Sequence, residues 1–550
     1  MAKKKKEENT LSYLQMPLPE SVRYSKMTKR SWSGLNYRQK IDTGALSMEN
    51  NISTIESPYL VPSQRIIPQW WSDTANPDAV IGLFGVDDIL IVIYREQTNI
   101  KISYVKDKNT SYTGVLKTDA KQDGSDDYPR CIVQFNVYDT PTDPITGKYV
   151  KKLLIYPDCK SMDFDISKDF TISDMNAEIE VYTEDEEPYL PPSTADKEKY
   201  QKNTYNQDVY RWVEDEEGNG AWKISVPPGG PKLKYATVHL SRVFGVDDDR
   251  VYASGYNDYT NWNLDTVGEY NESNSWCSPA QSNTKANSSF TGITTFQNHV
   301  ICFKENFMHE IYNNKNPFRI QDIFAEGAVD NRTIQDVDGR LIFVSSDGVK
   351  IYTGSNPRNI GYFLGIDRFK NPVSGTDGRN YYLYCEDENN NKRLLVYDTY
   401  VEQWSERKIE LAVISFAHNK NGMYMLCADN EVYKLDTGDF GTESEKHYWS
   451  FETDLITNQT VNIKHIKKIQ MFADIGENAN IKAYILYDDE KFNEKSHLVY
   501  DSKGKEGQIP IRVKPRQTAN YGFKLHFEGN GYVRLYELET FVEAGGDLYV

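Results

Sequence analysis

Short apolar runs of four to six residues, each closed by a Gly, Asp or Asn turn, recur along most of this chain and restrict its fold more than any other feature. "DGRLIFVSSDGVKIYTG" (338–354) shows the plan: turn, apolar run, turn, second run. The same plan is read in "VIGLFGVDDILIVIYRE" (80–96), "RVFGVDDDRVYASGY" (242–256) and "GITTFQNHVICFKENFMHEIYN" (292–313). It returns in "TDGRNYYLYCEDENNNKRLLVYD" (376–398) and "NKNGMYMLCADNEVYKLDTG" (419–438). Two of these units share the string "FGVDD", at 84–88 and 244–248. Runs this short, bounded by turn residues, predict strands joined by hairpins, and hardly any segment keeps a helical period. Composition agrees. The 39 Tyr, 22 Phe and 9 Trp make 13% of the residues aromatic, a bias suited to pleated, half-buried surfaces.

In the second half the units begin near 292, 336, 376 and 419, a period of roughly 40 residues made of several short strands, which is the signature of a β-propeller. A single blade cannot bury both of its faces; radial stacking covers them. An irregular β-sandwich is the alternative, and the spacing favours the propeller. After about residue 455 the texture changes. "GFKLHFEG" places Phe523, Leu525 and Phe527 on one face and Lys524, His526 and Glu528 on the other, the pattern of a half-buried antiparallel strand. With "IKKIQMFADI", "ANIKAYILYDDE", "IPIRVKP" and "GYVRLYELETFVE" it supplies a separate sandwich.

The expected class is therefore all-β: a β-propeller with an inserted loop or subdomain and a C-terminal β-sandwich. The expected divisions are an extended N-terminal arm (1–75), first blades (76–181), an acidic, Pro- and Gly-rich insertion (182–235), remaining blades (236–455) and the sandwich (456–550). The arm carries Pro17, Pro19, Pro58, Pro62 and Pro68 and little periodicity, so it is expected to lie extended along something else. The insertion is too long for a blade loop and too polar for a core.

With 81 acidic against 63 basic residues the net charge is -18, the wrong sign for gripping phosphate. The same sign suits ordinary solubility or a conduit that repels phosphate and lets a polymer slide. The cysteines, Cys131, Cys159, Cys277, Cys302, Cys385 and Cys427, form no C-x-x-C. They read as reduced, small hydrophobes, which points to assembly in a cytosol. "MAKKKKEENT" has no signal-peptide core, and no run of about 18 apolar residues suggests a transmembrane helix.

No residue is nominated as catalytic, cofactor-binding or metal-ligating, and no cofactor or enzymatic activity is expected. The eight histidines have no metal or catalytic spacing, and His465 and His526 read as outward-facing. There is no G-x-S-x-G elbow and no phosphate loop. "GVDDDR" (245–250) and "CEDENNNKR" (385–393) lack the spacing of a calcium loop and read as turns. Ser345, Asp347 and Gly348 approach the Asp-box turn of sialidases, but the glycine falls one position early, so they too read as turn residues.

Within 32–65, "WSGLNYRQKIDTGALSMENNISTIESPYLVPSQR" resembles the opening of tailed-bacteriophage structural proteins. In those, "GGLN", a polar stretch and "L-x-x-R" precede a propeller. Gly34, Leu35 and Asn36 give the first phrase, Gly44 and Asn50 the second, and Leu60 with Arg65 a loose third; Ser33 stands where the family has its first glycine. "RVYASGYNDYTNWNLD" (250–265), "GITTFQNHVICFKENFMHEIY" (292–312), "IQDVDGRLIFVSSDGVKIYTGSNPRNIG" (334–361) and "YELETFVEAGGDLYV" (536–550) resemble later phrases in the same order. The family is that of β-propeller tail hub, nozzle and DNA-stabilisation proteins of the head-to-tail junction.

That resemblance implies a non-enzymatic virion structural protein of a bacteriophage tail or neck, assembled in the host bacterial cytoplasm. It implies a homo-oligomeric ring, commonly six-fold, coaxial with the portal, which continues the DNA channel and serves DNA retention and ejection. Its implied partners are copies of itself, portal or adaptor proteins, tail fibre or other tail proteins, and double-stranded DNA in non-specific passage. The alternative is a phage-associated carbohydrate-binding propeller or polysaccharide depolymerase, which would gather several of Trp70, Trp71, Trp212 and Trp222 in one groove.

Overall fold

The computed structural model describes residues 24–544 except 39–44, 73–74, 108–109, 122, 140–147, 164–171, 176–180, 183–209, 215–219, 225–230, 263–274, 279–288, 313–314, 317, 324–326, 441–446, 460–461, 514 and 516–517. Within these limits the chain is almost entirely strand, with single 3-10 turns at Asn331–Thr333 and Tyr362–Leu364. No helix among the described residues is long and apolar enough to cross a membrane.

Seven four-stranded antiparallel sheets follow one another along the chain. Their first strands are Ala79–Val86, Cys131–Asp139, Tyr235–His239, Phe290–Phe296, Gln335–Val337, Lys370–Thr376 and Val413–Asn419, which number sheets 1 to 7. The second strands show why the apolar runs are continuous. In Ile89–Glu96, Ile89, Ile91 and Ile93 pack towards sheet 2 while Leu90, Val92 and Tyr94 pack towards sheet 7. In Arg340–Ser345, Leu341 and Phe343 meet sheet 4, and Ile342 and Val344 meet sheet 6. In Asn380–Glu386, Tyr381 and Leu383 meet sheet 5, and Tyr382 and Tyr384 meet sheet 7. Side chains alternate along a strand, so a sheet covered on both faces needs apolar residues at consecutive positions.

Each neighbouring pair of sheets encloses its own apolar core, and sheet 7 closes on sheet 1. The seven sheets form a ring. At the closing seam Ala417, Tyr424, Leu426 and Val432 pack on Leu83, Leu90, Val92 and Tyr94. The fourth strand of sheet 7 is Ile67–Gln69, which runs antiparallel to Val432–Lys434. Burying a large apolar side chain stabilises by about 1.5–3 kcal/mol. Each hydrogen bond of a three-residue strand adds only about 0.5–1.5 kcal/mol. The apolar seam therefore dominates ring closure, and Ile67–Gln69 covers an edge that would otherwise stay open.

First strands of neighbouring sheets lie against one another towards the middle of the ring. Short hydroxyl and amide side chains bridge them there. Thr237 and Thr295 hydroxyls lie 3.1 Å apart, Ser415 donates to the Leu83 carbonyl at 3.2 Å, and Gln335 donates to the Ser374 carbonyl at 3.3 Å. Gly375 is needed for the approach of sheet 6 to sheet 7: a Cβ there would fall 2.4 Å from both Phe416 Cβ and Met423 Cε.

A second unit is built from two sheets around one core. One has the strand order Tyr24–Lys29, Val533–Ala544, Lys464–Ile475, Gly507–Val513; the other has Leu46–Asn50, Tyr448–Thr453, Phe523–Asn530, Asn480–Tyr487, His497–Asp501. Ile466, Ile469, Ile481, Ile485, Phe451 and Phe527 are among its buried side chains.

Three details differ from the sequence reading. The described residues of 1–75 are extended, but they lie on this chain's own sheets: Tyr24–Lys29 and Leu46–Asn50 join the second unit, and Ile67–Gln69 joins the ring. Tyr448–Thr453 pairs with Phe523–Asn530, so the second unit takes in residues before 455. The shared "FGVDD" string marks different positions. Asp87 and Asp88 link the first and second strands of sheet 1, whereas the turn at 247–250 links the second and third strands of sheet 3. Most of 182–235 lies outside the described residues; Val181–Tyr182, Tyr210–Glu214 and Gly220–Ile224 form a three-stranded sheet.

Gly375→Val is expected to destabilise the folded chain by about 1–3 kcal/mol through overpacking between sheets 6 and 7. Thermal unfolding followed by circular dichroism would show it as a lowered transition; an unchanged transition would contradict the tight inter-sheet contact.

Candidate functional site

The N-terminal segment threads the boundary between ring and second unit, and its sequence permits close approach there. A Cβ on Gly34 would lie 2.3 Å from the Trp404 carbonyl oxygen, so only glycine fits. The Leu35 amide donates to that oxygen at 2.9 Å, and the Asn36 amide donates to the Leu46 carbonyl at 2.9 Å. Trp32 is buried in the second unit, edge-on to Phe451 at 5.8 Å, and its Nε1 donates to the Tyr536 carbonyl at 3.1 Å. The "GLN" phrase thus serves as the joint between sheet 6 and the second unit.

A polar cluster, half-buried except for the buried Glu49, lies beside this joint. Arg393 forks onto both oxygens of Glu406, with the Nη2 to Oε2 distance at 2.7 Å, and the Tyr37 hydroxyl donates to Glu406 Oε2 at 2.8 Å. The Arg393 guanidinium lies 4.9 Å from the Tyr37 ring centroid. Glu49, on Leu46–Asn50, is buried; its Oε1 accepts the Glu406 backbone N–H at 3.3 Å, while Oε2 has no hydrogen-bond partner among the described residues. Burial, with the Glu406 carboxylate nearby, holds the Glu49 carboxyl well above the usual range, although the Glu406 amide opposes the shift.

A cleft of about 460 Å³ opens at the junction between sheets 6 and 7, the turn at 53–56 and Tyr532 of the second unit. Its ring side carries charged groups that are already paired. Arg379 Nη2 lies 2.6 Å from Asp398 Oδ2, and Arg407 Nη2 lies 3.5 Å from Asp436 Oδ1. Asp377 accepts bonds from the backbone amides of Arg379 and Asn380, from the Asn380 side chain and from the Tyr382 hydroxyl. Burial pushes its carboxyl up, but these bonds outweigh it and leave the group below the usual aspartate range. Opposite them, Phe440 and Tyr532 meet edge-to-face at 5.2 Å. Ser63, 2% exposed, lines the cleft, and its Oγ has no partner among the described residues. Sequence reasoning missed this cleft, because its walls come from segments more than 300 residues apart and contain no motif.

The motifs weighed in the sequence occupy turns. Asp347 accepts the Lys350 ammonium at 2.8 Å, and Asn359 donates to its backbone carbonyl. Gly348 has a φ of 139°, and Ser345 is buried in sheet 5. The Asp247 carboxylate takes the Asp249 and Arg250 amides at 2.7 Å and the Tyr252 hydroxyl at 2.6 Å. Asp387 takes the Asn389 and Asn391 amides at 2.9 Å. None of the six cysteines is in a disulfide. Burial raises the thiols of Cys131 and Cys277 to about 11 and those of Cys385 and Cys427 to about 12, so these four are not thiolates at neutral pH.

One expectation is corrected. His526 is on the polar face of its strand yet only 2% exposed, because Phe492 stacks on its ring at 3.7 Å and Tyr484 meets it edge-on. Of the tryptophans named for the alternative reading, Trp71 is buried in the core between sheets 7 and 1 against Tyr94, and Trp70 packs half-buried on the same core. Trp212 and Trp222 are register partners in the three-stranded sheet.

No protein-family model and no curated protein matches the chain. One solved structure it resembles is "Crystal structure of BBS1N in complex with ARL6DN, soaked with mercury", at 9% identity over 67% of this chain and 97% of that one, with a TM-score of 0.35. That likeness is too distant to bear on function.

Glu49 makes stability at the joint depend on pH. A carboxyl held above its unfolded value contributes fully below the ordinary glutamate range, and the contribution falls as pH rises towards the folded value. Among the described residues, the charge that acts on it is that of Glu406, and Tyr37 lies near both carboxylates. Glu49→Gln is therefore expected to match the wild type near pH 4 and to exceed it at pH 7–8 by about 1 kcal/mol or more, one pKa step being worth about 1.4 kcal/mol. Paired thermal melts across that range test this; a variant that matches the wild type near pH 4 and falls below it as pH rises to 7–8 would show Glu49 to be ionised and paired.

Proposed function

We propose that the chain is a non-enzymatic structural protein of a tailed-phage virion: a β-propeller with an inserted subdomain and a C-terminal β-sandwich, acting as tail hub, nozzle or head-to-tail connector. The supporting observation is where the family-like phrases fall. Gly34–Leu35–Asn36 joins ring to second unit. Leu60 exchanges both backbone bonds with Leu535, and Arg65 pairs with Asp439 at 2.9 Å. Trp262 fills the core between sheets 2 and 3 and donates to the Tyr259 carbonyl at 2.9 Å. These phrases maintain architecture, as expected of a protein whose role is its shape.

The first strands approach so closely that threonine and serine hydroxyls bridge them. A passage for duplex DNA would therefore run between copies of the chain, not through the middle of one ring of sheets. An overall charge of -18 would favour sliding over sticking at such a passage. In this reading copies assemble, six-fold by family resemblance, against portal or adaptor proteins, with tail fibres or other tail proteins as further partners.

The test is negative-stain imaging and native mass measurement of the purified chain, alone and with portal complex. Closed rings, formed alone or on the portal, are expected. Monomers under both conditions would contradict the proposal.

A further inference from the structure

We infer that the junction cleft is a binding site for a neutral saccharide. The charge pattern excludes the simpler ligand classes. Glu56, Asp377, Asp398 and Asp436 supply four carboxylates to the lining against the guanidinium groups of Arg379 and Arg407, so an anion meets net repulsion. Both guanidinium groups already face carboxylates, and Glu56 is paired with Arg534. Asp377, the carboxylate without a cationic partner in the cleft, is saturated by amide and hydroxyl donors, so a cation finds no vacant counter-charge.

A neutral ligand with both donors and acceptors remains. Arg379 and Asp398 stand 2.6 Å apart and present a donor beside an acceptor, the arrangement that two vicinal hydroxyls satisfy together. The loose Arg407–Asp436 pair, at 3.5 Å, offers a second such edge. Ser63, on the same lining, has a buried Oγ with no hydrogen-bond partner among the described residues, a polar atom the fold leaves unsatisfied. Across the cleft the Phe440 and Tyr532 rings present apolar surface. A pyranose matches this division, having hydroxyls around its edge and a C–H face that packs on an aromatic ring. The volume of about 460 Å³ falls within the usual small-molecule range of about 300–1,000 Å³. This site is separate from the tryptophans considered in the sequence.

The experiment is saturation-transfer NMR and calorimetry on the full chain. The probes are glucose, galactose, mannose, N-acetylglucosamine and their disaccharides, with glucuronate and inorganic phosphate as anionic probes. At least one neutral saccharide is expected to bind, and Tyr532→Ala and Arg379→Ala are each expected to weaken it by about tenfold or more. Tyr532→Phe, which keeps the ring and controls for folding, should retain most of the affinity. No binding by any neutral probe, binding unaffected by both cleft substitutions, or tighter binding of glucuronate or phosphate would each overturn the inference. Ring assembly is read separately by mass, so failure here leaves that proposal standing.

Discussion

Closure of sheet 7 onto sheet 1 is the constraint on which the rest of the molecule depends. The apolar side chains of that seam hold the two ends of a seven-sheet ring together, and Ile67–Gln69 completes the last sheet from the far end of the chain. Because that strand comes before sheet 1, the segment ahead of it must cross the face of sheets 6 and 7 to arrive there. This crossing places Gly34 on Trp404 and Leu60 on Leu535, and so fixes the second unit against the ring.

The joint is polar as well as close. Arg393, Glu406, Tyr37 and Glu49 form a cluster in which one fork-like ion pair organises the neighbours. The cost of burying such groups is offset only where their bonds are made, so the cluster is satisfied in this relative placement of the two units. The cleft is a consequence of that placement. It opens where the turn at 53–56 and Tyr532 stand off from sheets 6 and 7.

Much of the ring was legible in the sequence because its signal is local. A sheet buried on both faces forces consecutive apolar residues, so "ILIVIY" and "LIFV" announce second strands, and first strands beginning at Phe290, Gln335, Lys370 and Val413 carry the period of roughly 40 residues. Long-range pairing left no such trace. Tyr24–Lys29 pairs with Val533–Ala544 across more than 500 residues, and nothing in either strand names the other. His526 alternates as an outward residue should, yet Phe492, from a loop more than thirty residues earlier, covers it. The cleft was illegible for the same reason, since its arginines and aspartates look like ordinary strand and turn residues until the fold brings them together.

If the role is architectural, the position of the chain in a particle is its function. The most direct measurement is a cryo-electron map of the virion with this protein located by fit of its seven-sheet ring and attached second unit. The expected result is a closed ring of copies coaxial with the portal, with the DNA path passing between copies. Density confined to peripheral appendages away from that axis, or no copies in the particle, would contradict the proposed role.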